Sequence, residues 1–221
     1  MPSVLNKMRP YLALALLVAA EPASAHIPQL RGRLLDLVAH SDVVVVGTVE
    51  TASPLDPRTN STTIRTETAL VGEAPAPTLT FRGAARFPVG SRFVFFLRRN
   101  GSFECVQPSG TLFAARPQDD AAYRVTVTGI KLAQREPADK QPAALRTALI
   151  PALSAGVPTL RYHAVLELAA LAHHGLSDTD RQALARIAAD PSTDATIRPI
   201  IKTLLDRPPA GSSSAAAAGQ K

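Results

Sequence analysis

The sequence predicts an α+β protein, an antiparallel β-barrel followed by a small helical module. Three observations point there. Short segments rich in Val, Ile, Thr and Phe alternate with Gly, Pro and Asn turn signals from residue 42 to residue 128. All seven Phe lie between Phe81 and Phe113. Beyond Pro137 the chain loses Phe and gains Ala and Leu at helical spacing. The 221 residues, 46% hydrophobic and 19% charged, suffice for one domain or two small ones and are too apolar for wholesale disorder.

Residues 1–25 carry the three parts of a secretory signal peptide. Lys7 and Arg9 form its positive start, Tyr11 to Ala20 its apolar stretch, and Ala23-Ser24-Ala25 its small-residue cleavage site, with Ala23 and Ala25 at the two small positions. The apolar run stops at Glu21-Pro22, well short of the roughly 20 residues an uncut membrane span needs. No Cys follows the cleavage site, which excludes a lipoprotein anchor, and no later segment is apolar enough to span a bilayer. A soluble mature chain starting at His26, in a periplasm or outside the cell, is the expectation.

The elements of the mature chain follow in order. Leu30, Leu34, Leu35, Leu37 and Val38 fall at helical spacing and predict a short amphipathic helix ending near His40-Ser41. Asp42 to Val49 is a β-branched run, read as a buried strand with Gly47 at a bulge. Pro54, Pro57 and Asn60 mark a loop. Further strands are expected at Thr62–Leu70, Thr78–Phe81, Arg92–Leu97, Phe103–Val106, Leu112–Ala115 and Tyr123–Thr128. Asn100-Gly101 between two apolar segments is a hairpin turn, since both residue types tolerate positive φ. The Phe cluster is read as the core of the sheet rather than a stacking platform for bases.

From Lys140 to Asp206 apolar rows continue at four and eight positions: Leu145, Leu149 and Leu153; Leu160, Ala164 and Leu168; Ile197, Ile201 and Leu205. Leu184, Ile187 and Ala188 supply another helix, started by Ser177 with Asp180 three residues on. About four helices in two antiparallel pairs are expected, with Pro151 kinking the first and Pro199 in the first turn of the last. From Pro208 no apolar pattern remains, and a flexible tail is expected. The resulting organisation is a signal peptide at 1–25, a β-barrel domain at 26–136, a helical domain at 137–207 and a disordered tail at 208–221.

Two stretches, Leu37–Val49 (LVAHSDVVVVGTV) and Pro88–Phe113 (PVGSRFVFFLRRNGSFECVQPSGTLF), resemble small exported bacterial proteins with an OB/netrin-like barrel. In those proteins a short helix runs into an aspartate and a "VVxGxV" strand, and a later "G-x-x-x-x-x-F-L" strand is matched here by Gly90 and Phe96-Leu97. Their "LKG" step is weakened to Leu70-Val71-Gly72. Residues 157–206 resemble HEAT repeats, because Thr159-Leu160-Arg161 recurs as Thr196-Ile197-Arg198. The resemblance implies an OB/netrin-like barrel and a HEAT-like module, and its motifs record packing. Netrin-like metalloproteinase inhibitors reach the metal of their target with an amino-terminal cysteine. His26 stands at that position here, so inhibition does not carry over.

Chemistry-bearing residues are few. The single Cys, Cys105, excludes a disulfide framework and a Cys-rich zinc site, and its place between Phe103 and Val106 reads as a buried inert thiol. After cleavage the amine and imidazole of His26 form a candidate copper chelate, with His40 as the only other His in the β region. His163, His173 and His174 lack the i, i+4 spacing of a helical zinc pair; they read as one partly buried and two solvated side chains. Asp119-Asp120 reads as a polar loop. Arg82, Arg86, Arg92, Arg98 and Arg99 read as a solvated surface, not a nucleic-acid face, because the +6 formal charge is spread along the chain. No cofactor is implied. The expected function is a non-enzymatic exported module that binds another exported or envelope protein. Copper binding through His26 and a hydrolase without a recognisable motif are the alternatives.

Overall fold

Four consecutive valines, Val43 to Val46, can all be buried only where both faces of their strand are covered. The computed structural model, which describes residues 32–74, 76–108 and 111–207, has that arrangement. Helix α1 (Leu34–Ala39) leads into β1 (Val43–Asp56), β2 (Thr59–Val71), β3 (Thr78–Gly83), β4 (Arg92–Asn100), β5 (Ser102–Cys105) and β6 (Phe113–Ala114). Helices α2 (Asp120–Ala133), α3 (Gln141–Ser154), α4 (Pro158–Leu171), α5 (Asp178–Ala189) and α6 (Arg198–Leu205) follow. The described residues from Gly32 onward belong to one compact unit.

The sheet closes on itself. Its order is β1-β2-β3-β5-β4, and β4 pairs back onto β1, so five strands form a barrel with β6 added along β4. The sequence predicts an antiparallel barrel; the barrel is mixed, because β3 and β5 run parallel through Phe81↔Phe103 and Arg82↔Glu104. Gly47 lies at a break in the β1–β2 register, as its bulge requires. A Cβ there would stand 2.6 Å from the Arg65 carbonyl oxygen, so only glycine fits. Gly101 turns the chain from β4 into β5 with φ +67, a conformation open to glycine and costly for most residues.

Side-chain alternation then builds two cores. Val43, Val45 and Val49 point into the barrel with Ile64, Leu79, Phe81, Phe87, Phe93, Phe95 and Leu97. Val44 and Val46 point the other way and join Leu70, Val94, Phe96 and Phe113 under the helices. The Phe cluster is therefore core, divided between the two. In the helical part α3 packs on α4, α5 on α6, α3 on α5 and α4 on α6. The Ser177–Asp180 capping box starts α5, with each side chain accepting from the other residue's backbone N–H. Pro199 sits in the first turn of α6 and Pro151 lies inside α3, each in its expected helix.

Three local expectations need correction. Tyr123–Thr128 is not a strand but the middle of α2. Its β-branched residues favour a strand, yet Tyr123, Thr126, Val127, Ile130 and Ala133 are buried at helical spacing, and tertiary burial outweighs propensity. Asp119-Asp120 is no loose loop. Asp119 is buried at the end of a 3₁₀ turn (Pro117–Asp119), where it accepts from the backbone and guanidinium of Arg116. Pro54 and Asn60 lie in β1 and β2, paired with each other, so only the turn at Pro57-Arg58 separates the strands. Pro54 is tolerated because β1 meets β4 only as far as Thr48, leaving the outer edge of β1 free of strand pairing at that height.

Candidate functional site

Helix α2 bridges the barrel and the helices. Its inner face is anchored by polar contacts as well as burial. Thr128 Oγ1 donates to the Leu70 carbonyl on β2 at 3.2 Å. Lys131 Nζ donates to the carbonyls of Val38 (3.0 Å) and Ser41 (2.8 Å), satisfying the carboxyl end of α1. At the amino end Asp120 takes a bidentate grip from Arg92 of β4 at 2.7 and 2.8 Å, and the Arg92 Nε donates to Glu67 of β2 at 2.7 Å. These groups raise the Arg92 guanidinium above its ordinary pKa, and Arg92 holds the Glu67 carboxyl below the usual carboxylate range.

With its inner face fixed, α2 turns a second apolar stripe outward. Val125 is 63% exposed and Leu132 57% exposed. Beside them α3 approaches closely: a Cβ on Gly129 would lie 3.1 Å from the Ala148 Cβ. The result is a groove of about 400 Å³ lined by Val125, Gly129, Leu132, Ala144, Thr147 and Ala148, with Glu136 three residues beyond the end of α2. Large apolar walls over a floor of small residues make a receptacle for apolar side chains. Its polar side chains are those of Thr147 and Glu136.

Two other hollows differ. One, about 490 Å³ at the barrel end, is lined by Asp42, Val43, Gly72, Glu73 and Arg99, and Asp42 Oδ2 accepts from the Arg99 backbone N–H at 2.7 Å. The other, about 320 Å³, is lined by Ala52, Ser53, Pro54, Asn60, Arg86, Phe87 and Val89. Its one hydroxyl, on Ser53, has no histidine or carboxylate beside it in that lining.

The residues singled out in the sequence are scattered. Ala23, Ala25 and His26 lie outside the described residues. His40 is exposed at the end of α1, where its Nδ1 bonds the Asp36 carbonyl at 2.7 Å. Among the described residues no group of three His, Cys, Asp or Glu side chains is placed to hold a metal ion. Cys105 is buried, which pushes its thiol up to about 12 and leaves no thiolate at neutral pH. His163 packs on Phe113 with ring centroids 4.5 Å apart, and burial pushes it down to about 4. His173 and His174 stack on each other, with centroids 3.9 Å apart, at the end of α4.

The arginine row does not form one basic face. Arg92 is almost covered by its two carboxylates, Arg98 pairs with Glu104 at 2.8 Å, and Arg99 lies over the Phe103 ring. Arg82 and Arg86 are exposed.

The sequence reading missed Val125, Gly129, Leu132, Ala148 and Glu136. Their signal was present: read as a helix, residues 120–133 carry apolar side chains on two opposed faces, one more than a helix needs to pack. No helix of the described residues is long and apolar enough to cross a membrane. No protein-family model and no curated protein matches the chain.

Proposed function

We propose that this chain is an exported, non-enzymatic interaction module that docks another exported or envelope protein in the groove between α2 and α3. The observation that carries the reading is the outward stripe of α2, with Val125 and Leu132 more than half exposed over a small-residue floor. Exposed apolar side chains gathered around a groove are a feature of contact surfaces. The anchoring of α2 through Arg92, Thr128 and Lys131 supports a preformed site, which spares a partner the cost of ordering it.

Export rests on the leader pattern of residues 1–25. The five-stranded closed barrel and the paired helices behind it are compatible with the OB/netrin-like and HEAT-like resemblances. Both resemblances favour a scaffold over an enzyme.

Leu132→Asp tests the reading. The side chain is exposed, so the variant should fold and melt within a few degrees of the parent. Crosslinking in extract should lose the adducts formed by the parent chain. An unchanged adduct pattern would contradict the proposal.

A further inference from the structure

Asparagine is a thermolabile side chain, and its fate depends on what holds its amide and on the residue that follows. The two asparagines among the described residues, Asn60 and Asn100, differ in both respects. Asn60 is buried, paired with Pro54 on β1 and Gly83 on β3, and followed by Ser61 within β2. Its Nδ2 donates to the carbonyls of Ala84 and Ala85, each at 3.4 Å. Asn100 is exposed at the end of β4, and its Nδ2 reaches only Glu104 Oε1, at 3.4 Å. Gly101 follows it, alone between β4 and β5.

The backbone nitrogen of Gly101 is free to react. A Cβ on Gly101 would meet no atom within 4 Å, so the turn stands clear of the rest of the fold. Among the described residues no acceptor takes the Gly101 N–H, while Asn100 and Ser102 pair on either side of it. Glycine adds no side chain that would hinder approach of this nitrogen to the neighbouring amide carbon.

We infer that Asn100 is a site of spontaneous deamidation in the folded protein, with water as the only co-reactant. The Gly101 nitrogen attacks Asn100 Cγ and closes a five-membered succinimide ring. The Cγ–Nδ2 bond breaks, and Nδ2 leaves as ammonia with the proton that the backbone nitrogen gives up. Water then adds to one ring carbonyl and breaks its bond to nitrogen. Opening at Cγ leaves aspartate at position 100 in an ordinary backbone. Opening at the backbone carbonyl leaves isoaspartate, with the main chain routed through Cβ and Cγ.

Either product lowers the +6 formal charge by one unit. It also puts a carboxylate where the amide now donates to Glu104, whose other oxygen Arg98 holds at 2.8 Å. An attractive contact becomes a repulsion between like charges. The isoaspartyl form further lengthens the main chain by one carbon in the turn that registers Arg99 with Phe103.

Peptide mapping by mass spectrometry tests this. The purified full chain is held folded in warm, mildly alkaline buffer, sampled over days, and digested in acid, where ring closure stalls. The peptide holding Asn100 should gain the mass that separates a carboxylic acid from its amide. It should also split into two isomers on chromatography, the mark of a ring opened on either side. The peptide holding Asn60 should lag by about tenfold or more, because its two ladders must open first. Unfolding in urea should change the Asn100 rate by less than about tenfold, since the folded turn does not shield it. Asn100→Gln keeps an exposed amide but needs a larger, slower-forming ring, so the conversion should be lost with an unchanged circular dichroism spectrum.

An Asn100 peptide that stays intact in the folded chain yet converts in urea overturns the inference, as does equal conversion at Asn60. A single aspartyl product without its isomer overturns it too, because direct hydrolysis would then replace attack by Gly101. The comparison of Asn100 with Asn60 is made within one parent chain, so it stands should Asn100→Gln fail to fold.

Discussion

His163 and Cys105 illustrate how burial silences side chains that would otherwise invite a chemical role. Both sit against aromatic or apolar groups, and in both the neutral form is the one the fold accepts. For His163 this has a consequence in stability. The unfolded chain binds a proton near pH 6.5, and the folded chain only near 4. The contribution is therefore complete above pH 6.5 and is lost as pH falls toward 4, by up to about 3 kcal/mol. The lowered carboxyls of Glu67 and Asp119 lose their share further down, as pH falls through their depressed values. Urea unfolding at pH 7 and pH 5 should show a drop in the parent that His163→Gln largely lacks. Equal drops in the two proteins would mean that another group governs the window.

At the scale of elements, the junction between β4, β2 and α2 depends on Arg92. One guanidinium satisfies two carboxylates from two different elements and reaches the Ala115 carbonyl as well. Replacing it with Met leaves Glu67 and Asp120 partly covered, close together and without their cation. The expected cost is about 2 kcal/mol, less than for a fully buried pair because solvent reaches both acids. Arg92→Lys should restore under half of it, since an ammonium cannot grip Asp120 with two parallel bonds. Denaturant midpoints decide the point; an Arg92→Met protein as stable as the parent would remove Arg92 from this role.

The same scale explains what the sequence could and could not convey. The strands of the barrel were legible because their valines, phenylalanines and turn residues are local signals; β1, β3, β4 and β5 start within a residue or two of where the pattern puts them. The parallel pairing of β3 with β5 was not, because strand direction in a closed barrel is set by long-range register. Helix α2 was misread because its β-branched core, Thr126 and Val127, obscured a helical burial period that only its neighbours reveal. With α2 misread, the outward stripe could not be seen. The burial of Cys105 and the partial burial of His163 were legible from their apolar surroundings.

For the whole molecule, the account comes down to one helix with two apolar faces, one used by the fold and one left at the surface. The inner face joins the barrel to the helices in a continuous core, running from Val44 and Phe96 to Leu160 and Ile201. The outer face has nothing to cover it among the described residues, while the charged and polar groups of α2 that touch the barrel are satisfied. Exposed apolar side chains gathered beside a groove are a feature of contact surfaces.

The measurement that bears most directly on this is photocrosslinking from single positions of the full chain in native extract. A photoreactive side chain at Leu132 is expected to give a discrete protein adduct, and the same side chain at Lys202, exposed on α6, is expected to give none. A Leu132 position as silent as Lys202, in a chain that remains folded, would contradict the claim that α2 faces a partner.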